Sequence, residues 1–219
     1  MNDNNDDYNV AGLFPTSVYQ QKIDIKNNDY LIEKIKEICI NTPNEGNKTY
    51  KTSSHGSSNI LTDNDFIFLK ENINKALKNY IYDVLMWPNN VKLEIISSWA
   101  NEITKKEQYH HQHVHPNSIL SGVFYLKSLE EDKILFHNND PRNTYFDIPI
   151  YKEYNHYNST TWWLPVCEND LFIFRSDLMH SVPQNNIDNY DNNYRFSLSF
   201  NTFFKNCDFS ANPTTYIKF

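Results

Sequence analysis

The sequence predicts a mainly β chain with flanking helices, an α+β domain whose strands close as a double-stranded β-helix, or jelly roll, with supporting helices on one outer face. Three observations predict it. Helical periodicity is confined to the part of the chain before Pro88. From Val91 onward, short runs rich in apolar residues are separated by clusters of Asn, Asp, Pro and Lys, the pattern of antiparallel strands. A length of 219 residues is ample for one sizeable core and short for two domains. Helices first, then many short strands enclosing a pocket, suit this architecture.

Residues 1–9 are polar and are expected to form a disordered tail, leaving 10–219 as a single domain. Residues 13–25 read as a first strand with alternating apolar positions. Helices are expected over 29–40 and 63–86; in the second, Phe66, Leu69, Ile73, Leu77 and Ile81 recur at three- and four-residue steps, a stripe that belongs in a core. Pro88 and the Asn89-Asn90 pair end that helix, and the polar stretch 42–59 reads as a loop. Strands are then expected over 93–102, 108–115, 118–127, 133–136, 170–174 and 194–203. The stretch 138–164 lacks firm periodicity and carries Tyr145, Phe146, Tyr151, Tyr154, His156, Tyr157, Trp162 and Trp163. It reads either as a lid that closes over a pocket or as a simple cover. Glycine is scarce, and asparagine, the next most tolerant of left-handed geometry, fills turns such as Asn169-Asp170.

A net charge of −7 with no long basic stripe argues against a dedicated nucleic-acid surface. No apolar run approaches the roughly 20 residues that cross a bilayer, and the first residues lack the basic and apolar regions of a secretion signal. A soluble, cytoplasmic protein is expected. Cys39, Cys167 and Cys207 are an odd set at no metal-ligand spacing and read as inert thiols.

The densest chemistry lies in Tyr109-His110-His111-Gln112-His113-Val114-His115-Pro116, where half of the eight histidines fall within six positions. Neutral imidazoles bind Fe, Zn, Cu and Ni, and residues i and i+2 of a strand share a face, about 6.6 Å apart. Spacing leaves open whether the pair is His111 with His113 or His113 with His115. His110 points the other way on a regular strand. His180 offers a third ligand. In Arg195-Phe196-Ser197-Leu198-Ser199-Phe200, alternation puts Arg195, Ser197 and Ser199 on one face and the apolar residues on the other. An arginine beside a hydroxyl suits a carboxylate, and a metal with a carboxylate anchor implies a keto-acid site. Tyr125 shares a strand face with Ser121 and Val123 and is expected to aim its hydroxyl at the same ligand.

These residues resemble the 2-oxoglutarate- and iron(II)-dependent oxygenases, of the type found widely in marine bacteria and phages. The likeness is mosaic and spans most of the chain: Leu13-Phe14-Pro15-Thr16, His113-Val114-His115-Pro116, Leu120-Ser121-Gly122-Val123-Phe124-Tyr125-Leu126, Asp140-Pro141-Arg142, Leu171-Phe172-Ile173-Phe174 with Ser176 and His180, and Arg195 through Asn201. The resemblance implies that His113, His115 and His180 hold Fe(II), and that Arg195, assisted by Ser197, pairs with the distal carboxylate of 2-oxoglutarate. It implies the jelly-roll fold and a dioxygenase that uses O2 and 2-oxoglutarate, releases succinate and CO2, and hydroxylates its substrate. The wider superfamily usually has a carboxylate where His115 stands. Three imidazoles still leave three positions on an octahedral ion, although an all-nitrogen set also welcomes copper or zinc. Arg142 either pairs within its own segment or faces the pocket.

Two rivals stand beside this reading: a non-catalytic jelly-roll binding or structural protein with a vestigial or zinc-filled site, and a three-histidine dioxygenase that uses no keto acid. Arg195 and Ser197 argue against both. The substrate stays open among small molecules, protein side chains and nucleobases, and a homodimer is the commonest association for such enzymes.

Overall fold

The structure, a computed structural model, describes residues 11–44, 47–53, 58–138, 152–185 and 193–207. The expected tail, His55 and Asp140-Pro141-Arg142 lie outside them. Two antiparallel sheets face one another. The larger contains β1 (Val18–Lys22), β2 (Ile40–Asn44), β3 (Asn47–Lys51), β4 (Leu93–Ile103), β6 (Leu120–Lys127), β9 (Asp170–Arg175) and β11 (Arg195–Phe204), in the order β1-β9-β6-β11-β4-β3-β2. The smaller contains β5 (His110–His113), β7 (Lys133–His137), β8 (Thr161–Pro165) and β10 (His180–Val182), in the order β5-β10-β7-β8. This is the expected jelly roll, with helices α1 (Asn28–Ile38) and α2 (Ile67–Lys78) covering the outer face of the large sheet.

Strand alternation divides the core in two. Leu120, Phe124 and Leu126 of β6, Leu171 and Ile173 of β9, and Phe196, Leu198 and Phe200 of β11 pack against Leu31, Ile32 and Ile35 of α1 and Leu69, Ile73 and Leu77 of α2. Their intervening neighbours Val123, Tyr125, Phe172 and Phe174 turn inward and meet Ile134 and Phe136 of the small sheet. Each such side chain contributes roughly 1.5–3 kcal/mol on burial. The helical stripe read from sequence is buried throughout: Phe66, Leu69, Ile73, Leu77 and Ile81. Asn27 caps α1 by accepting from the Tyr30 N–H at 3.3 Å.

The second helix begins later than periodicity suggests. Two 3₁₀ turns, Ile60–Thr62 and Asn64–Phe66, precede α2, and a π-turn, Asn79–Val84, follows it. The first strand is shorter than expected, because Phe14 takes a left-handed φ of 56° and is 96% exposed. The expected loop 42–59 instead contributes strands β2 and β3, which form a hairpin against β4. Two of its polar side chains are satisfied across the strands: Thr49 donates to Asn101 at 3.0 Å and Tyr50 donates to Glu102 at 2.9 Å. At the end of the stretch 138–164, β8 (Thr161–Pro165) pairs with β7, while Tyr145, Phe146 and Tyr151 of the expected lid or cover lie outside the described residues. Asn169 does occupy a left-handed turn, with φ 72°.

Candidate metal centre

The small sheet brings His113 and His180 side by side, because β5 and β10 pair with these two residues in register. Their ring centroids lie 4.3 Å apart. His115 reaches the same point by a different route. The strand expected over 108–115 ends at His113, so His115 does not sit on it. Its backbone N–H donates to the Ser176 carbonyl at 2.9 Å, which swings the ring back towards the others. Ring centroids of His115 are 5.2 Å from His113 and 5.0 Å from His180. One nitrogen from each of His113, His115 and His180 lies within 4.8 Å of the others.

Hydrogen bonds fix two tautomers. The His113 Nδ1–H donates to the His111 carbonyl at 2.8 Å, and the His180 Nδ1–H donates to the Leu178 carbonyl at 2.9 Å. Each ring therefore turns a lone-pair Nε2 to the common space, as a ligand must. The Nε2 atoms of His115 and His180 approach to 3.1 Å. Two nitrogens bound at right angles to one ion, each at about 2.1 Å, would stand about 3 Å apart. Burial pushes His180 down to about 3, with His113 adding to the effect and the Leu178 carbonyl opposing it. Burial likewise pushes His115 down to about 4, assisted by His113 and opposed by a hydrogen bond with the Asn201 side chain. Both are neutral at pH 7 and available as donors.

The surroundings are aromatic. Trp99 of β4 stacks on His115 with centroids 5.5 Å apart, and Phe174 stands edge-on to His180 at 4.7 Å. His111 meets His113 edge-on at 5.8 Å and stays outside the cluster, while the Nε2 of His110 lies 3.3 Å from the Asn47 amide.

Arg195 points between the sheets, 3% exposed. Ser197 stands opposite Tyr125 in the register of β11 and β6, and the Arg195 guanidinium carbon lies 5.9 Å over the Tyr125 ring. Tyr125 thus offers its ring face to the cation. Burial raises its hydroxyl to about 12, so it stays protonated. Asp132 is the partner that sequence reading did not foresee. Its carboxylate accepts from Arg195 Nε at 2.6 Å and pairs with Nη2, which also donates to the Lys133 carbonyl at 3.3 Å. Arg195 Nη1 is buried without a partner among the described residues. Burial pushes the guanidinium down to about 10, which leaves it charged at pH 7. Trp99 and Asn201 were also missed as neighbours of His115. In the register of β4 and β11, Trp99 stands opposite Ser199 and Asn201 opposite Ser97, and nothing in the sequence indicated which of these residues His115 would meet.

Residues 97–201 match the family described as "Putative 2OG-Fe(II) oxygenase". No curated protein matches the chain by sequence. Among solved structures, the chain is similar to a 2OG-Fe(II) oxygenase family oxidoreductase from Burkholderia pseudomallei, with 11% identity and a TM-score of 0.56 over 84% of this chain and 83% of that one. It is similar to the alpha-ketoglutarate dependent epimerase SnoN from nogalamycin biosynthesis, with 11% identity and a TM-score of 0.57 over 86% and 78%. It is also similar to HygX from Streptomyces hygroscopicus, a structure with nickel, 2-oxoglutarate and hygromycin B bound, with 12% identity and a TM-score of 0.52 over 85% and 82%. At these identities the likeness is one of fold. The matched stretch 97–201 contains His113, His115, His180, Arg195, Ser197 and Tyr125, so the chain resembles that family over the part that carries the candidate site.

Proposed function

We propose that this protein is a 2-oxoglutarate- and Fe(II)-dependent dioxygenase that hydroxylates a C–H bond of its substrate, with release of succinate and CO2. The carrying observation is the convergence of three imidazole nitrogens, joined in the space between the sheets by a buried guanidinium whose Nη1 has no partner among the described residues. The donor set fits a divalent transition ion and leaves positions for a chelating keto acid and dioxygen. His113, His115 and His180 would hold the iron. When bound, the iron supplies the oxidation chemistry that couples decarboxylation of 2-oxoglutarate to insertion of one oxygen atom into substrate and one into succinate.

The chain contributes geometry and exclusion of water. The His111 and Leu178 carbonyls hold two rings in the ligating tautomer. Arg195 offers Nη1 to the distal carboxylate of the keto acid, while the hydroxyls of Ser197 and Tyr125 supply neighbouring donors. Phe136, Phe172 and Phe174 line the adjoining interior with apolar surface, which keeps water from a reactive centre. The substrate is a small molecule or a protein side chain. Free thiols at Cys39, Cys167 and Cys207 support a reducing, cytoplasmic setting. No helix among the described residues is long and apolar enough to cross a membrane.

A second reading, a non-catalytic jelly roll holding zinc, draws support from the pairing of Arg195 with Asp132 and from an all-nitrogen ligand set. Isotopically labelled dioxygen separates the two. With Fe(II) and 2-oxoglutarate, the dioxygenase puts one labelled oxygen atom into succinate; a chain that binds zinc tightly and leaves the keto acid intact is the second protein.

A further inference from the structure

Arg195 opens β11 and reaches into the space between the sheets, where its hydrogen-bond partners among the described residues are Asp132, in the turn joining β6 to β7, and the carbonyl of Lys133, the first residue of β7. That turn is shaped to deliver a carboxylate. Glu131 takes a left-handed φ of 54°, an uncommon conformation for a residue with a Cβ. Asp132, 4% exposed, accepts from the backbone N–H groups of Leu129 at 3.3 Å and Lys133 at 3.0 Å. The carboxylate is thus held by its own turn as well as by the arginine. The guanidinium is a rigid plane. With Nε and Nη2 engaged by one carboxylate, and Nη2 also by the Lys133 carbonyl, the direction of Nη1 is set. The Tyr125 ring closes one face of the plane.

We propose that Asp132 is a positioning residue for the keto-acid site: by clamping one edge of the Arg195 guanidinium it leaves Nη1 as the single nitrogen presented to the distal carboxylate, and so sets the length of keto diacid that fits. This rests on the function proposed above. Asp132 has two separable effects. Its oxygens fix where Nη1 stands, and its charge partly cancels the cation that the ligand meets. A fork-to-fork contact, in which an arginine gives two nitrogens to one carboxylate, is not open to this side chain while Asp132 holds it; the ligand is held end-on.

The test is calorimetric titration of the full chain, loaded with Mn(II) under nitrogen, with 2-oxoglutarate, the four-carbon oxaloacetate and the six-carbon 2-oxoadipate. The wild type is expected to prefer 2-oxoglutarate. Asp132→Asn keeps an acceptor for Nε, turns an amide donor towards Nη2 and removes the charge, so the length preference weakens and binding tightens several-fold. Asp132→Glu pushes the guanidinium inward by a methylene, and the preference shifts about tenfold towards oxaloacetate, the discrimination one methylene commonly gives. Asp132→Ala frees the guanidinium and flattens the preference. Thermal melting confirms that each variant is folded; should the alanine variant not fold, the Asn and Glu variants decide. A length preference that stays at the wild-type value in the Glu variant overturns the proposal. A wild-type chain that takes up Mn(II) and none of the three acids overturns the keto-acid reading itself, a different result from binding with an unmoved preference.

Discussion

His180 shows how one residue is prepared for a ligand's role. Its backbone pairs with His113 on one side and Phe136 on the other, its Nδ1 is spent on the Leu178 carbonyl, and the Phe174 ring stands against it. What remains is one lone pair facing two other imidazoles. Burial favours the neutral form of His180 and His115, holding them at about 3 and about 4. The sign follows from proton uptake. Below about pH 6.5 the unfolded chain binds protons at these rings that the fold does not, so their contribution is present above that pH and is lost as pH falls towards 4 and 3. Urea unfolding of the metal-free chain is expected to show a lower midpoint at pH 5 than at pH 7, and replacing both rings by asparagine should flatten the dependence. At this scale the histidines and Arg195 were legible, because imidazoles crowd six positions and alternation sends Arg195 inward. Asp132 was not. An acid in a turn is ordinarily solvated, and only the left-handed Glu131 and the arriving guanidinium make this one buried.

Strands differ in how plainly they announce themselves. In β6, β9 and β11, apolar residues recurring on one face, such as Leu120, Phe124 and Leu126 of β6 and Phe196, Leu198 and Phe200 of β11, pack against the helices, and each strand was read within two residues of its bounds. In β3 the buried positions include Asn47 and Thr49, whose amide nitrogen and hydroxyl find their partners only in the fold, so the segment resembled a loop. The three residues of β10 are too few to show a period. Gly122 of β6 leaves no room for a side chain. A Cβ there would overlap the Phe200 ring and come within 2.7 Å of the Phe172 carbonyl oxygen. Gly122→Ala is therefore expected to cost roughly 1–3 kcal/mol, the usual range for an overpacked core. Denaturant titration checks this, and a loss below a few tenths would mean that β6 and β11 can part without penalty.

The whole molecule solves a problem of convergence. His113 and His180 come from adjacent strands of the small sheet, His115 from the segment after β5, and Arg195 from the first residue of a strand in the large sheet. Two sheets folded face to face bring these separated positions into one interior, with the helices spent on stabilising the outer face. Sequence alone pointed to the fold through the change from helical to alternating periodicity, and to the site through residue types and their order. It could not say which tautomers the backbone would select, because the carbonyls two residues back that hold His113 and His180 are aimed only once the backbone has folded, nor what would hold the arginine, whose partner Asp132 lies 63 residues away in sequence. The central claim is that three imidazoles and one guanidinium serve a single iron-bound keto acid. The most direct measurement is the visible spectrum of the chain with Fe(II) and 2-oxoglutarate under nitrogen, followed by air and assay for succinate. A metal-to-ligand charge-transfer band that decays in air with release of succinate, both lost in His180→Ala, is the predicted result; a wild-type chain giving neither band nor succinate would contradict it.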